Sequence, residues 1–174
     1  MLTLEGCRDG HCDRPCELLL HVEDQANNLL SANGVIQPPV PLDLVSRLDP
    51  ERSVEIRFLP LHAHYGAVWL VGDEWVLHLN ENQPLLMARF VAFHEGYHIV
   101  CHASGLYEAD SADGCRPFTE ATADYFAASV LMPRAWVLDY WPRVRNVARM
   151  AQIFQAPERA VRAWVRRWVE GPMW

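Results

Sequence analysis

Leu85-Leu-Met-Ala-Arg-Phe-Val-Ala-Phe-His94-Glu-Gly-Tyr-His98-Ile-Val-Cys-His102 decides how this chain is read. The stretch follows Asn82-Gln83-Pro84, a turn that starts a helix. Leu86, Phe90, Val91, Phe93, Ile99 and Val100 cover most of its circumference, which predicts a helix buried on nearly all sides. His94 and His98 are one helical turn apart and share a face, with their roots about 6 Å apart. Glu95 is displaced around the helix, so it can stand beside an ion held by both imidazoles without binding it. Polar groups in a buried helix are costly unless paired, and a bound metal would pair these. His-Glu-x-x-His on a helix is the arrangement of a metal-dependent hydrolase: two ligands, and a carboxylate that takes a proton from a polarised water. Its plainer alternative is two histidines on a core helix.

The bulk composition bounds the rest. With 174 residues, 51% hydrophobic and 21% charged, the chain has enough apolar surface for one core and is not disordered. The net charge of −7 is unevenly spread. Residues 1–132 carry 7 Arg against 19 Asp and Glu, whereas residues 133–174 carry 8 Arg against 3. No stretch approaches the roughly 20 apolar residues of a membrane span. Met1 to Cys16 mixes charges of both signs and lacks a signal-peptide core. These features lead us to expect a soluble, cytoplasmic protein. Five Cys (Cys7, Cys12, Cys16, Cys101 and Cys115) do not suggest a complete disulfide framework. Cys7, His11, Cys12 and Cys16 cluster, but without a Cys-x-x-Cys pair, and are read as a flexible tail with incidental thiols. Cys101 is expected in the core.

Working outward, Asp13 and Pro15 start a helix that Asn33-Gly34 stops, with Leu18, Leu19, Val22, Ala26, Leu29 and Leu30 as its stripe. Pro38, Pro39 and Pro41 form a linker into a short helix with Leu42, Val45 and Leu48 on one face. Val54, Ile56 and Phe58 alternate with Glu55 and Arg57 as a strand. Tyr65–Val71 and Trp75–Asn80 are two strands around a Gly72-Asp73 hairpin turn. Three successive strands predict a small antiparallel sheet, and the fold class is α+β. Ala103–Pro117 reads as a loop, Phe118–Met132 as a helix that Pro133 ends. Three short helices follow, punctuated by Pro142 and Pro157, with Trp136, Trp141, Trp164, Trp168 and Trp174 mostly as packing anchors.

A catalytic zinc site needs a third protein ligand and an open position. His102 is about 12 Å along the helix from His94, too far for one ion to bind His94, His98 and His102 together. The better candidate is Glu120, four residues before Asp124 on the same face of the next helix. Glu120 would complete the metal set, and Asp124 would accept the outer ring N–H of His94 or His98. A solvated helix face is the plain alternative, but Ala123, Phe126, Ala127 and Ala128 surround these residues.

Ala123-Asp-Tyr-Phe-Ala-Ala-Ser-Val-Leu-Met-Pro133, following the His-Glu-x-x-His run, resembles the ImmA/IrrE family of metallo-endopeptidases. Pro41-Leu-Asp43, the hairpin before Asn80, Arg89-Phe90 and His102 fit the same pattern, over roughly Leu18 to Pro133. The resemblance implies a gluzincin-like, zincin-type pair of active-site helices packed on the sheet. It implies His94, His98 and Glu120 as ligands of a single Zn2+, or Mn2+ in its place, and Glu95 as general base. Asp124 matches the Asn or Asp position of the second motif. Family members cleave helix-turn-helix repressors and so switch on mobile-element transfer or DNA-damage genes. Two positions depart from the pattern: Tyr97 stands where Gly usually precedes the second His, and Thr122 where an acidic residue is common. Tyr97 is expected to bear on packing or substrate access. The oxyanion donor is open among His64, Tyr65, His78 and Tyr107, and Cys115 has no assigned role.

The expected organisation is a flexible tail at 1–17, a metallopeptidase core at 18–133, and a helical subdomain at 134–174. Within the last, Ala148–Phe154, Gln155-Ala156-Pro157 and Glu158–Trp168 read as helix, tight turn, helix. Arg159, Arg162, Arg166 and Arg167 decorate the second helix. That segment suits DNA reading, docking of a repressor, or plain packing with Arg on the wet side. The leading expectation is a zinc-dependent endopeptidase acting on a regulatory protein. Its rival is a DNA- or partner-binding regulator whose metal site is structural or vestigial.

Overall fold

A computed structural model describes residues 13–104 and 120–170, with side chains from 18 to 104 and 120 to 169. Helix α1 spans Asp13–Ala32 and buries Val22, Ala26 and Leu30 at the expected helical spacing. Residues 13–17, read above as tail, lie within it. It stops at Gly34, whose φ of 66° suits glycine, while the Asn33 amide donates to the Leu29 carbonyl at 2.8 Å. A short 3-10 turn, Leu42–Arg47, follows the proline linker.

Strands β1 (Ser53–Leu59), β2 (Gly66–Val71) and β3 (Glu74–Asn80) form a three-stranded sheet in the order β1-β3-β2. The α+β class and the β2–β3 hairpin match expectation, the hairpin turning at Gly72 with φ 64°. The sheet is not wholly antiparallel, however. β1 pairs parallel with β3, so the sheet is mixed. The cause lies in residues 60–65, which carry the chain from one edge of the sheet to the other across the end of β3. Asn80 holds that crossing: its backbone N–H donates to Tyr65 O, and its amide donates to Leu61 O at 2.8 Å and His64 O at 3.2 Å. Carbonyls that would otherwise lack a partner above the strand end are thereby satisfied.

Helix α2 (Leu85–Ala103) lies on the sheet face that carries Trp75, Leu77 and Leu79, and helix α3 (Glu120–Leu131) packs beside it. A glycine sets the spacing on one side of α2. A Cβ at Gly96 would come within 2.4 Å of Leu48 Cδ1, so the 3-10 turn closes directly on α2 there. Tyr97 turns inward, 1% exposed, with its ring 5.2 Å from that of Phe126 on α3. The residue that departs from the family pattern therefore fills core at the α2–α3 interface; it does not line substrate space. Thr122, the other departure, is also buried. Cys101 is in the core as expected, and burial pushes its thiol up to about 12.

Three further helices close the core: α4 (Arg134–Val144), α5 (Val147–Phe154) and α6 (Glu158–Val165), the last continuing as a π turn, Arg166–Glu170. Pro142 does not end a helix, as expected, but lies inside α4. The carbonyl it leaves unpaired, at Leu138, is on an exposed turn where water can serve it. α4 stops instead at Arg145 and α5 at Gln155, both left-handed, with φ of 45° and 50°. Met150, Phe154, Val161 and Trp164 join the same buried cluster as α2 and α3. Arg89 ties these parts together. Buried on α2, it donates through Nε to Gln155 O at 3.2 Å and through Nη2 to Val40 O.

Candidate metal centre

α2 and α3 run side by side because both are apolar on most of their surface, and the polar exceptions on each meet at one place. His94 Nδ1 is 2.9 Å from Asp124 Oδ1, and His94 Nε2 is 3.1 Å from Glu120 Oε2. A neutral imidazole has one N–H. If it points at Asp124, the Nε2 lone pair faces a carboxylate oxygen across 3.1 Å, and only a cation between or beside them, a proton or a metal, makes that contact favourable. The His98 ring lies 5.8 Å from the His94 ring, edge-on. One donor atom from each of His94, His98 and Glu120 falls within 4.8 Å of the others. Ligands around one tetrahedral zinc sit roughly 3.3 Å apart, so small side-chain rotations, chiefly of Glu120 with its 83% exposed side chain, suffice to close the set. Two imidazoles and a carboxylate suit zinc, with room for water at a fourth position. His102 does not join the group. It stacks edge-on against Trp75 at 5.0 Å, at the far end of the same helix.

The electrostatics are consistent with this chemistry. Burial works to lower the His94 pKa, but the Asp124 hydrogen bond and charge, with Glu95 and Glu120 nearby, leave it raised. His98 is lowered, by burial and then by the neighbouring His94, which favours the neutral ligand form. Burial raises the Glu95 carboxyl; the charges of His94 and His64 pull it down and that of Glu120 adds to the rise. A carboxylate raised in this way is a better proton acceptor near neutral pH.

Glu95 and His98 open into a cleft of about 560 Å³ between α2 and β2, which His64 and Gly66 also line. Gly66 was not apparent as a site residue. A Cβ there would lie 2.4 Å from Val91 Cγ1 and 3.2 Å from Glu95 Cγ, so its absence lets the strand approach the helix beside Glu95. A glycine opening a strand was the available signal. Of His64, Tyr65 and His78, the described residues left open as oxyanion donors, only His64 lines this cleft. His78 is on the opposite face of the sheet, its ring 4.8 Å from that of Trp69. Tyr65 is exposed and not among the lining residues. Tyr107 and Cys115 lie outside the described residues, as do Cys7, His11 and Cys12; of Cys16 only the backbone, in α1, is described.

A three-stranded sheet backed by two helices that bring His, His and Glu together is the framework of a metallopeptidase-type domain. The comparisons make the assignment specific. The model of the IrrE N-terminal-like domain, a peptidase family, matches residues 51–164, well over half of the chain. The chain belongs to this ImmA/IrrE family. Among solved structures, a Mycobacterium tuberculosis transcriptional regulator superposes with a TM-score of 0.57 at 16% identity, over 91% of this chain and 48% of that one. At that identity the likeness is one of fold, and this chain spans about half the regulator's length. No curated protein sequence matches the chain significantly. No helix among the described residues is long and apolar enough to cross a membrane.

Proposed function

We propose that the chain is a zinc-dependent endopeptidase that cleaves a regulatory protein in the cytoplasm, a helix-turn-helix repressor, and so relieves repression. The observation that carries this reading is His94 with a carboxylate at each ring nitrogen, one turn from His98 and adjoining Glu95 at the cleft. His94, His98 and Glu120 would hold the ion. When bound, zinc supplies Lewis-acid polarisation of a water and of the scissile carbonyl. Asp124 accepts the Nδ1–H of His94, fixing the tautomer and leaving Nε2 as the donor atom. Glu95 takes a proton from the attacking water and passes it to the leaving amine. His64, across the cleft, donates to the oxygen that becomes negative. The outer edge of β2 has no strand partner among the described residues, so its backbone can pair with an extended substrate segment beside Glu95.

The basic C-terminal face gives the DNA-binding alternative less support. Of its four arginines, Arg167 lies over the Tyr125 and Trp168 rings at 4.9 and 5.0 Å, and Arg159 contacts Met87 Sδ at 3.4 Å. These two are engaged within the chain; Arg162 and Arg166 remain as an exposed pair. Direct DNA binding would weaken steeply with salt.

The test uses purified protein, metal analysis and incubation with candidate helix-turn-helix repressors, any encoded beside its gene first. Glu95→Gln is expected to retain zinc and to cleave about 10²–10⁴-fold more slowly, and a chelator to abolish wild-type cleavage. Equal cleavage by Glu95→Gln would overturn the mechanism. Zinc binding with no cleavage, together with a salt-sensitive gel shift, would favour the regulator that only binds.

A further inference from the structure

A second polar site lies on the other side of α3, away from the metal centre. A cavity of about 230 Å³, partly open to solvent, lies between α1, α3, the start of α4, and α6, and is lined by Glu23, Asn27, Ser129, Arg134 and Trp164, of which Asn27 and Arg134 are exposed. This is below the ~300–1,000 Å³ of pockets for drug-sized ligands, and calls for a ligand of few heavy atoms. Ser129 is 4% exposed, and its buried Oγ has no hydrogen-bond partner among the described residues. A buried hydroxyl left unpaired is costly, so a partner in the cavity is the economical explanation.

The charges around the cavity say what that partner is. Glu23 and Arg134 line the same space, yet they form no ion pair with each other, and Arg134 forms none with any described residue. Arg134 instead rests over the Trp168 ring at 4.5 Å. One Glu23 oxygen accepts the Tyr125 hydroxyl, which orients the carboxylate. Trp164 spends its indole N–H on Met132 O at 2.7 Å and so offers an apolar wall. On the Arg134 side, α4 begins at Pro133 with no side-chain cap, which adds the positive end of a helix to the guanidinium. Glu23 would repel a simple anion, and Arg134 a simple cation. A molecule bearing both charges answers both.

We propose that this cavity binds a small zwitterion of the α-amino-acid class. Its ammonium sits at Glu23 and the Asn27 amide oxygen, its carboxylate at Arg134 and the first turn of α4, and Ser129 donates to it. The site is separate from the metal centre, so zinc-free and zinc-loaded protein bind alike.

The experiment is calorimetric titration of the full chain with each of the twenty L-amino acids at millimolar concentration. At least one is expected to bind with one-to-one stoichiometry, while its N-acetyl and carboxamide derivatives, each lacking one charge, do not. Arg134→Met, which disturbs no ion pair, is expected to weaken binding about tenfold or more. Ser129→Ala should weaken it as well while leaving the melting temperature of the free protein unchanged or higher, because the residue it replaces is unpaired. Absence of binding by all twenty, equal binding of the blocked derivatives, or full binding by both variants would each overturn the proposal.

Discussion

Two halves of one helix treat buried polarity in opposite ways. Near the start of α2, Arg89 is buried, and its Nε–H and an Nη2–H donate to the carbonyls of Gln155 and Val40. Near its end, His94 and His98 face carboxylates with donor atoms still unspent, beside a cleft. Burial depresses the pKa of Arg89, and no carboxylate among the described residues pairs with it. It is a strut between the linker, α2 and the α5–α6 turn. The histidines form an open set that accepts something more. A closed polar group stabilises the fold; an open one is available for chemistry.

The largest expected effect falls on the closed end. Arg89→Met keeps the aliphatic stem but strands the buried Val40 carbonyl and the part-buried Gln155 carbonyl, and should cost about 2–4 kcal/mol of unfolding free energy by urea denaturation. Zinc stoichiometry should be unchanged in the fraction that folds. If the variant is as stable as wild type, Arg89 is not a strut and the contrast with His94 fails. Gly66→Ala tests the seam between strand and helix. The added methyl meets the stiff Val91 side chain and the His78 carbonyl at 3.3 Å as well as Glu95, so it should cost about 1–3 kcal/mol. Cleavage should fall further than that loss of folded protein explains, because Glu95 is displaced. Asp124→Asn acts on the open end alone. Zinc affinity is expected to drop about 10–100-fold in competition with a chromogenic chelator, with little change in thermal stability of the zinc-free protein. A large loss of zinc-free stability would make Asp124 a closed group after all.

How much of this was legible in the sequence follows the same division. Pairs at i and i+4, such as His94 with His98 and Glu120 with Asp124, are fixed by helical geometry, so the composition of each half of the site could be read locally. That α2 and α3 are apolar nearly all round told that the two halves would be brought together in a core. Proline and glycine marked most helix limits, though Pro142 misled because an exposed last turn tolerates a missing N–H. What one stretch cannot reveal is pairing between distant ones. The direction of β1 depends on a six-residue crossing held by Asn80, and the alternation of Val54, Ile56 and Phe58 is the same in a parallel or an antiparallel pair. Gly66 acquires its role only when β2 meets Val91 and Glu95. Tyr97 looked like a change at the site because it sits between two of its residues, yet a helix turns it about 100° away from His98 and into the core.

Asp49 gives the smallest effect and sharpens the contrast from the acid side. Like Arg89 it is a closed group: its buried carboxylate accepts from Trp75 Nε1 at 2.8 Å and from the backbone N–H groups of Glu51 and Arg52 at 2.8 and 3.2 Å. Burial pushes its pKa up, but those hydrogen bonds and the Arg52 side chain outweigh it and hold the pKa below the usual carboxylate value. A carboxyl whose pKa is lower in the folded than in the unfolded chain adds stability that is fully present above its unfolded pKa. That stability is lost as pH falls through the folded value. Wild type should therefore exceed Asp49→Asn in stability at pH 7, and the gap should narrow below about pH 4, the unfolded range. The measurement is urea unfolding at stepped pH on zinc-free protein, so that protonation of the proposed metal ligands does not enter through lost metal. A gap that stayed constant down to the lowest pH would mean that the Asp49 charge is not what the Trp75 and backbone hydrogen bonds hold, and that closure at this position is a matter of shape alone.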